Sequence, residues 1–144
     1  MKRGKPLTRK TPMPPPRAAM RARRPGKRTT KTVYRNRSLL DMANGERCLL
    51  RVPLWCVGGT DTTVACHSNQ SRHGKGGWLK AHDWAIAFGC RGCHAYLDQS
   101  KAPAAEKAAA FDLGHSRTRL RLIELDAWPA EAEAAHQQMY GEAA

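Results

Sequence analysis

Near the middle of the chain, Cys90-Arg91-Gly92-Cys93-His94 sets two thiols on a two-residue spacing with an imidazole directly after them. A C-x2-C pair holds both sulfurs on one side of a turn, and a tetrahedral zinc ion takes four such ligands. The other two are supplied upstream by Cys48 and Cys56. Their separation is wider than a usual knuckle, but Pro53 between them favours a turn that brings the segment back on itself. Cys48, Cys56, Cys90 and Cys93 therefore read as a structural zinc site. Two disulfides, or buried thiols without metal, are the alternatives. Disulfides need an oxidising compartment, and no apolar segment behind the basic start marks a secretory signal. The same objection weighs against c-type haem, whose attachment motif is also C-x-x-C-H.

Elements to position these groups can be placed from pattern. Ser38 caps a short helix to Met42 or Ala43, ended by Asn44-Gly45. Thr62 to His67 is rich in β-branched residues and reads as a strand, with His67 at its end. A polar, glycine-rich loop follows, from Ser68 to Gly77, and Trp84 to Phe88 reads as a second strand running into Cys90. Alternation puts Cys66 and His67 on opposite faces, making Cys66 a core residue. A short helix is expected from Cys93 to about Gln99, carrying His94. Pro103 opens a helix through Leu113, which Gly114 ends or bends. Arg117 to Leu125 is expected to be an amphipathic helix with Leu120 and Ile123 against the core and its arginines in solvent or near DNA. An acidic, alanine-rich helix, Ala130 to Tyr140, closes the chain.

The 144 residues allow one small domain, with a hydrophobic fraction of 41% that gives a modest core a metal could staple. The net charge of +13 is unevenly spread: residues 1–37 hold 14 Lys and Arg and no acid, leaving 11 basic and 12 acidic residues for the remainder. That first stretch also contains six of the nine prolines and reads as a disordered basic arm. A flexible polycation suits a polyanion, because each phosphate it neutralises releases counterions. Nucleic acid is the expected partner; a solubilising tail and a mitochondrial transit peptide are the alternatives. No apolar run is long enough to span a membrane.

The order is now strand ending in histidine, loop, strand, C-x-x-C-H, helix. It resembles the ββα-metal fold of HNH endonucleases, and most of all the small phage and prophage nucleases of the YbcO type. The matching residues are Cys48-Leu49-Leu50-Arg51-Val52-Pro53-Leu54-Trp55-Cys56, Ala65-Cys66-His67-Ser68-Asn69, Lys80-Ala81-His82-Asp83 and Cys90-x2-Cys93-His94-x3-Asp98. They span roughly residues 45–118.

The resemblance implies roles for several residues. His67 would be the general base, since an imidazole titrates near working pH. His94 would bind a catalytic divalent ion: Mg²⁺, Mn²⁺, Ni²⁺ or Zn²⁺. Asp83 would be a second ligand to that ion or would orient His67. Asn69, Arg72 and Lys75 are candidates for positioning phosphates, and His73 and His82 for further ligands. In one respect the chain departs from the pattern: many HNH enzymes carry an acidic ligand just before the base histidine, and here that residue is Cys66, a poor ligand for a hard ion.

The expectation is thus an α+β, zinc-stabilised ββα-metal domain over residues 38–126, with the basic arm before it and a C-terminal helix over residues 127–144. Its implied activity is metal-dependent hydrolysis of DNA phosphodiesters in the cytoplasm of a bacterial host carrying the phage or prophage. The alternative is a zinc-stabilised nucleic-acid-binding accessory without catalysis, working with a recombination or packaging protein.

Overall fold

The computed structural model describes residues 33–141, so the basic arm expected over residues 1–37 lies almost wholly outside the described residues. It is a small α+β structure: α1 (Arg37–Asp41), β1 (Val64–His67), β2 (Ile86–Gly89), α2 (Arg91–Gln99), α3 (Ala104–Glu124) and α4 (Ala130–Tyr140). Among the described residues no helix is long and apolar enough to cross a membrane.

The last residues of the stretch assigned to the arm are tied to the fold. The Tyr34 N–H donates to His82 Nδ1 at 2.9 Å, and the Arg35 guanidinium donates to Asp83 Oδ1 at 2.8 Å. The α1 cap is Asn36 rather than the expected Ser38, since Asn36 Oδ1 accepts from the Leu39 N–H.

β1 and β2 form a two-stranded antiparallel sheet, with Cys66 opposite Ala87 and His67 opposite Ile86. Cross-strand partners share a face, so the sheet divides two cores. On one side Cys66 and Ala87 pack with Leu50, Val52, Leu97, Phe111 and three of the four paired cysteines. On the other, Ile86 and Phe88 pack with Leu39, Trp84 and Leu122. The chain before β1 adds to the pairing, because the Leu49 and Leu50 N–H groups both donate to the Phe88 carbonyl. Cys66 is fully buried, and burial pushes its thiol up to about 12.

Helix α3 corrects two expectations. It runs unbroken through Gly114, which is buried against Leu50: a Cβ there would lie 2.6 Å from Leu50 Cδ2. Glycine at this position permits a close approach and does not end the helix. The buried face is Phe111, His115, Thr118 and Leu122, whereas Leu120 and Ile123 are about half exposed. Thr118 takes its place inside by accepting from the Phe88 N–H at 2.9 Å and donating to the Gly114 carbonyl at 2.8 Å. The arginines are drawn inward with it: Arg117 donates to the Leu49 carbonyl, Arg119 pairs with Glu133 and Arg121 with Glu46.

α4 completes a cluster of rings. His115 stacks with Phe111 and lies tilted against His136, and Tyr140 stacks with His136. Desolvation lowers the pKa of both His73 and His115 to about 4. A histidine that is neutral when folded and titrates near 6.5 when unfolded costs stability as pH falls from about 6.5 toward 4, up to roughly 3 kcal/mol per residue. The Tm is expected to fall more steeply between pH 7 and 5 in the wild type than in His115→Phe. Any metal loss common to both proteins cancels in that comparison, so equal slopes would contradict it.

Candidate metal centre and active site

The four thiols converge. Cys48, Cys56, Cys90 and Cys93 place their sulfurs within 4.8 Å of one another, with Cys48 and Cys93 Sγ 3.6 Å apart and Cys56 and Cys90 Sγ 3.9 Å apart. A tetrahedron of zinc–sulfur bonds of about 2.3 Å has an edge of roughly 3.8 Å, whereas a disulfide needs about 2.05 Å. All five cysteines are free thiols. Donor set and spacing thus fit a metal ion such as zinc.

The local chain explains the convergence. Pro53 follows Val52, whose carbonyl accepts from both the Trp55 and Cys56 N–H groups and so returns the loop. That loop carries two non-glycine residues in the left-handed region, Arg51 (φ 49°) and Leu54 (φ 65°), each costing on the order of 1 kcal/mol. It is held down by the Val52 N–H, which donates to Cys93 Sγ at 3.4 Å. Gly92 is required beneath it: a Cβ there would lie 2.0 Å from the Trp55 carbonyl oxygen. Cys90 caps α2. Although desolvation opposes it, its thiol is lowered to about 6 because the Cys93 and Val57 N–H groups point at the sulfur. Burial pushes Cys56 and Cys93 up instead. A bound cation would favour the thiolate at all four.

The second constellation lies at the end of β1. His67 Nε2 is 3.0 Å from Asp83 Oδ1, and the same oxygen accepts from Arg35. Asp83 Oδ2 accepts from the Asn36 N–H at 2.9 Å. Desolvation would raise the Asp83 carboxyl, but bonds from His67, Asn36 and Arg35 outweigh it and hold the group below its ordinary range. With both oxygens engaged, Asp83 contacts His67 and the segment before α1. His94, on α2, pairs with a different carboxylate, Asp98 Oδ2, at 3.1 Å. Asp98 Oδ1 accepts from the Asn69 amide at 2.8 Å, linking the residues just after β1 to α2.

Among the described residues the four cysteines are the set that gathers as a metal site; His67, Asp83 and His94 do not converge in that way. His73 is fully buried, with its ring nitrogens bonded to Ser68 Oγ and Tyr140 Oη. His82 accepts from Tyr34 and stacks on Trp84. Arg72 pairs with Asp112 and lies over the Tyr140 ring. Asn69, Arg72, Lys75 and Asp98 line a cleft of about 1020 Å³ with Lys107. Sequence reasoning gave no role to Asp98, although its i,i+4 spacing from His94 was a usable signal, nor to Arg35 and Asn36, which carried none.

A family model described as "Putative nuclease YbcO" matches residues 37–127. The chain belongs to the YbcO family. The YbcO match takes in α1, both strands, the four cysteines and α3, and it ends before α4 begins. A solved structure described as "Structure of a putative bacteriophage protein from Escherichia coli str. K-12 substr. MG1655" has 22% identity and a TM-score of 0.48, covering 60% of this YbcO-family chain and 96% of that one. No curated protein matches it significantly.

Proposed function

We propose that the protein is a metal-dependent endonuclease of the HNH, ββα-metal type that hydrolyses DNA phosphodiesters. The single observation that carries this function is the His67–Asp83 pair at the end of β1, in a chain whose family is described as a nuclease. Neutral His67 donates its Nε2 hydrogen to Asp83, which leaves the Nδ1 lone pair for a water molecule. As that water attacks phosphorus, its proton passes to Nδ1, the bond to the 3′ oxygen breaks, the departing oxygen takes a proton from solvent, and the products carry 5′-phosphate and 3′-hydroxyl ends. Asp83 positions His67 and steadies the imidazolium that forms.

A divalent ion would be held by His94 and Asp98, a nitrogen and oxygen pair that suits an ion completing its shell with phosphate oxygens and water. When bound, it would supply charge neutralisation at the phosphoryl group. Asn69 keeps Asp98 in place; the carboxylate and the imidazole are each about half exposed, and Asp98 lines the cleft. Lys75 and Lys107 make no salt bridge among the described residues and are the cations available to phosphates there; Arg72 is committed to Asp112.

A nucleic-acid-binding protein without catalysis is the second reading, favoured by one observation: His67, Asp83 and His94 do not gather around one point. Plasmid nicking separates the two. Protein purified with zinc, freed of loosely held ions and resupplied with Mg²⁺, Mn²⁺, Ni²⁺ or Zn²⁺, is expected to nick supercoiled DNA. His67→Ala and His94→Ala are expected to bind without nicking. Binding with no cutting under any ion would leave the binding protein in possession.

A further inference from the structure

Between β1 and β2 the chain leaves the sheet as a finger that the hydrolytic step does not use. Its base is closed by the His82 N–H donating to the His73 carbonyl at 2.9 Å. At the tip, Gly76 and Leu79 exchange backbone hydrogen bonds of 3.3 and 2.9 Å across a two-residue loop. Gly77 takes the left-handed position of that loop (φ 52°), where a side chain would be strained. Trp78 follows with its side chain wholly in solvent, at 103% exposure, and Leu79 beside it is half exposed.

Tryptophan has more apolar area to gain from burial than other side chains, so a fully exposed one on a closed turn is unusual. The bonds at base and tip hold it outward, away from both cores. Lys75 and Lys80 stand at the two ends of the turn, and Lys75 also lines the cleft that holds Asn69 and Asp98.

We propose that residues 75–80 form a base-stacking finger, in which Trp78 stacks on an unpaired nucleobase of DNA while Lys75 and Lys80 meet the phosphates on either side. This role rests on the nuclease function above and adds a substrate class to it: duplex DNA bearing unpaired bases, as at a fork, flap or frayed end. An indole face accepts any base, which makes the contact tolerant of sequence. In intact duplex the base faces are already stacked, so there the finger has only its lysines to offer. The lysines are the argument for DNA as the occupant, since flanking phosphates complement their charge.

The test uses the full chain, purified with zinc and carrying His67→Ala so that the probes survive. Binding to a labelled forked duplex, a single strand and a blunt duplex is measured by fluorescence anisotropy at one salt concentration, with and without Trp78→Ala or Trp78→Phe. Trp78→Ala should weaken fork and single-strand binding roughly ten-fold and leave the blunt duplex nearly unchanged, while Trp78→Phe should keep most of the affinity. Equal affinities for all three probes, an equal loss on the blunt duplex, or no binding by the parent protein would each overturn the proposal. Such failure is distinct from failure of the nuclease function, because binding is read without cleavage. A protein that stacks but, with His67 intact, never cuts retains the finger and loses the hydrolysis; one whose Trp78→Ala form binds forks fully and, with His67 intact, cuts retains the hydrolysis and loses the finger.

Discussion

Removing the metal from Cys48, Cys56, Cys90 and Cys93 should unfold the domain cooperatively. Three of the four cysteines, Cys48, Cys90 and Cys93, lie inside one of the two cores, among Leu50, Val52, Leu97 and Phe111, and the loop that carries Cys56 to them is strained at Arg51 and Leu54. A structural zinc ion contributes roughly 10–16 kcal/mol of apparent folding free energy. The net stability of a small domain is about 5–15 kcal/mol, so loss of the ion outweighs what remains. A strong chelator should abolish the thermal transition seen by circular dichroism, and returning zinc should restore it. Cys93→Ser should act like the chelator, because it removes a buried ligand and the acceptor of the Val52 N–H. Gly92→Ala should lower zinc affinity without touching a ligand, since its Cβ displaces the Trp55 carbonyl and with it the loop. Chelated protein with an unchanged melt would contradict the structural role of the metal.

Loss of His67 should have the largest effect on cleavage. General-base catalysis contributes about 10²–10⁴-fold, and His67 is the imidazole that stands 3.0 Å from Asp83 Oδ1. His67→Ala should therefore fall by that factor in the nicking rate while shifting DNA on a gel as the wild type does, because the cations that meet phosphate lie elsewhere. Asp83→Asn should lower kcat more than it raises KM. An amide cannot accept from His67, Arg35 and the Asn36 N–H together, so the imidazole loses its orientation while the cleft keeps its charge. Equal gel shifts with unchanged nicking in His67→Ala would remove it from the chemistry.

What could be read in advance followed local rules. The cysteine spacing pointed to the four thiols that gather because a knuckle is a local geometry, and period-two alternation put Cys66 and His67 on opposite faces of β1. Hydrophobicity alone does not decide the α3 face. The Phe88 N–H needs an acceptor and the Ile86 carbonyl needs a donor, and Thr118 and His115 provide these from positions where leucine could not. Leu120 and Ile123 were left outside as a result. Gly114 was misread for a similar reason: its need is set by Leu50, far away in sequence. Arg35 meets Asp83 across 48 positions, a separation no local pattern reports.

The sheet that separates the two cores is four residues wide, and each of its strands serves both sides at once. A partition so thin cannot stand with one room empty. If the cysteine side opens, Cys66 and Ala87 lose their packing, and the neighbours that hold His67 in register, Ile86 and Phe88, lose theirs in the same event. A newly made chain in a zinc-starved cell would then be an open substrate for proteases, and not an intact fold waiting for its ion. Supply of a metal for the four cysteines would govern how much protein exists, while the ion proposed at His94 and Asp98 would govern how fast each copy works.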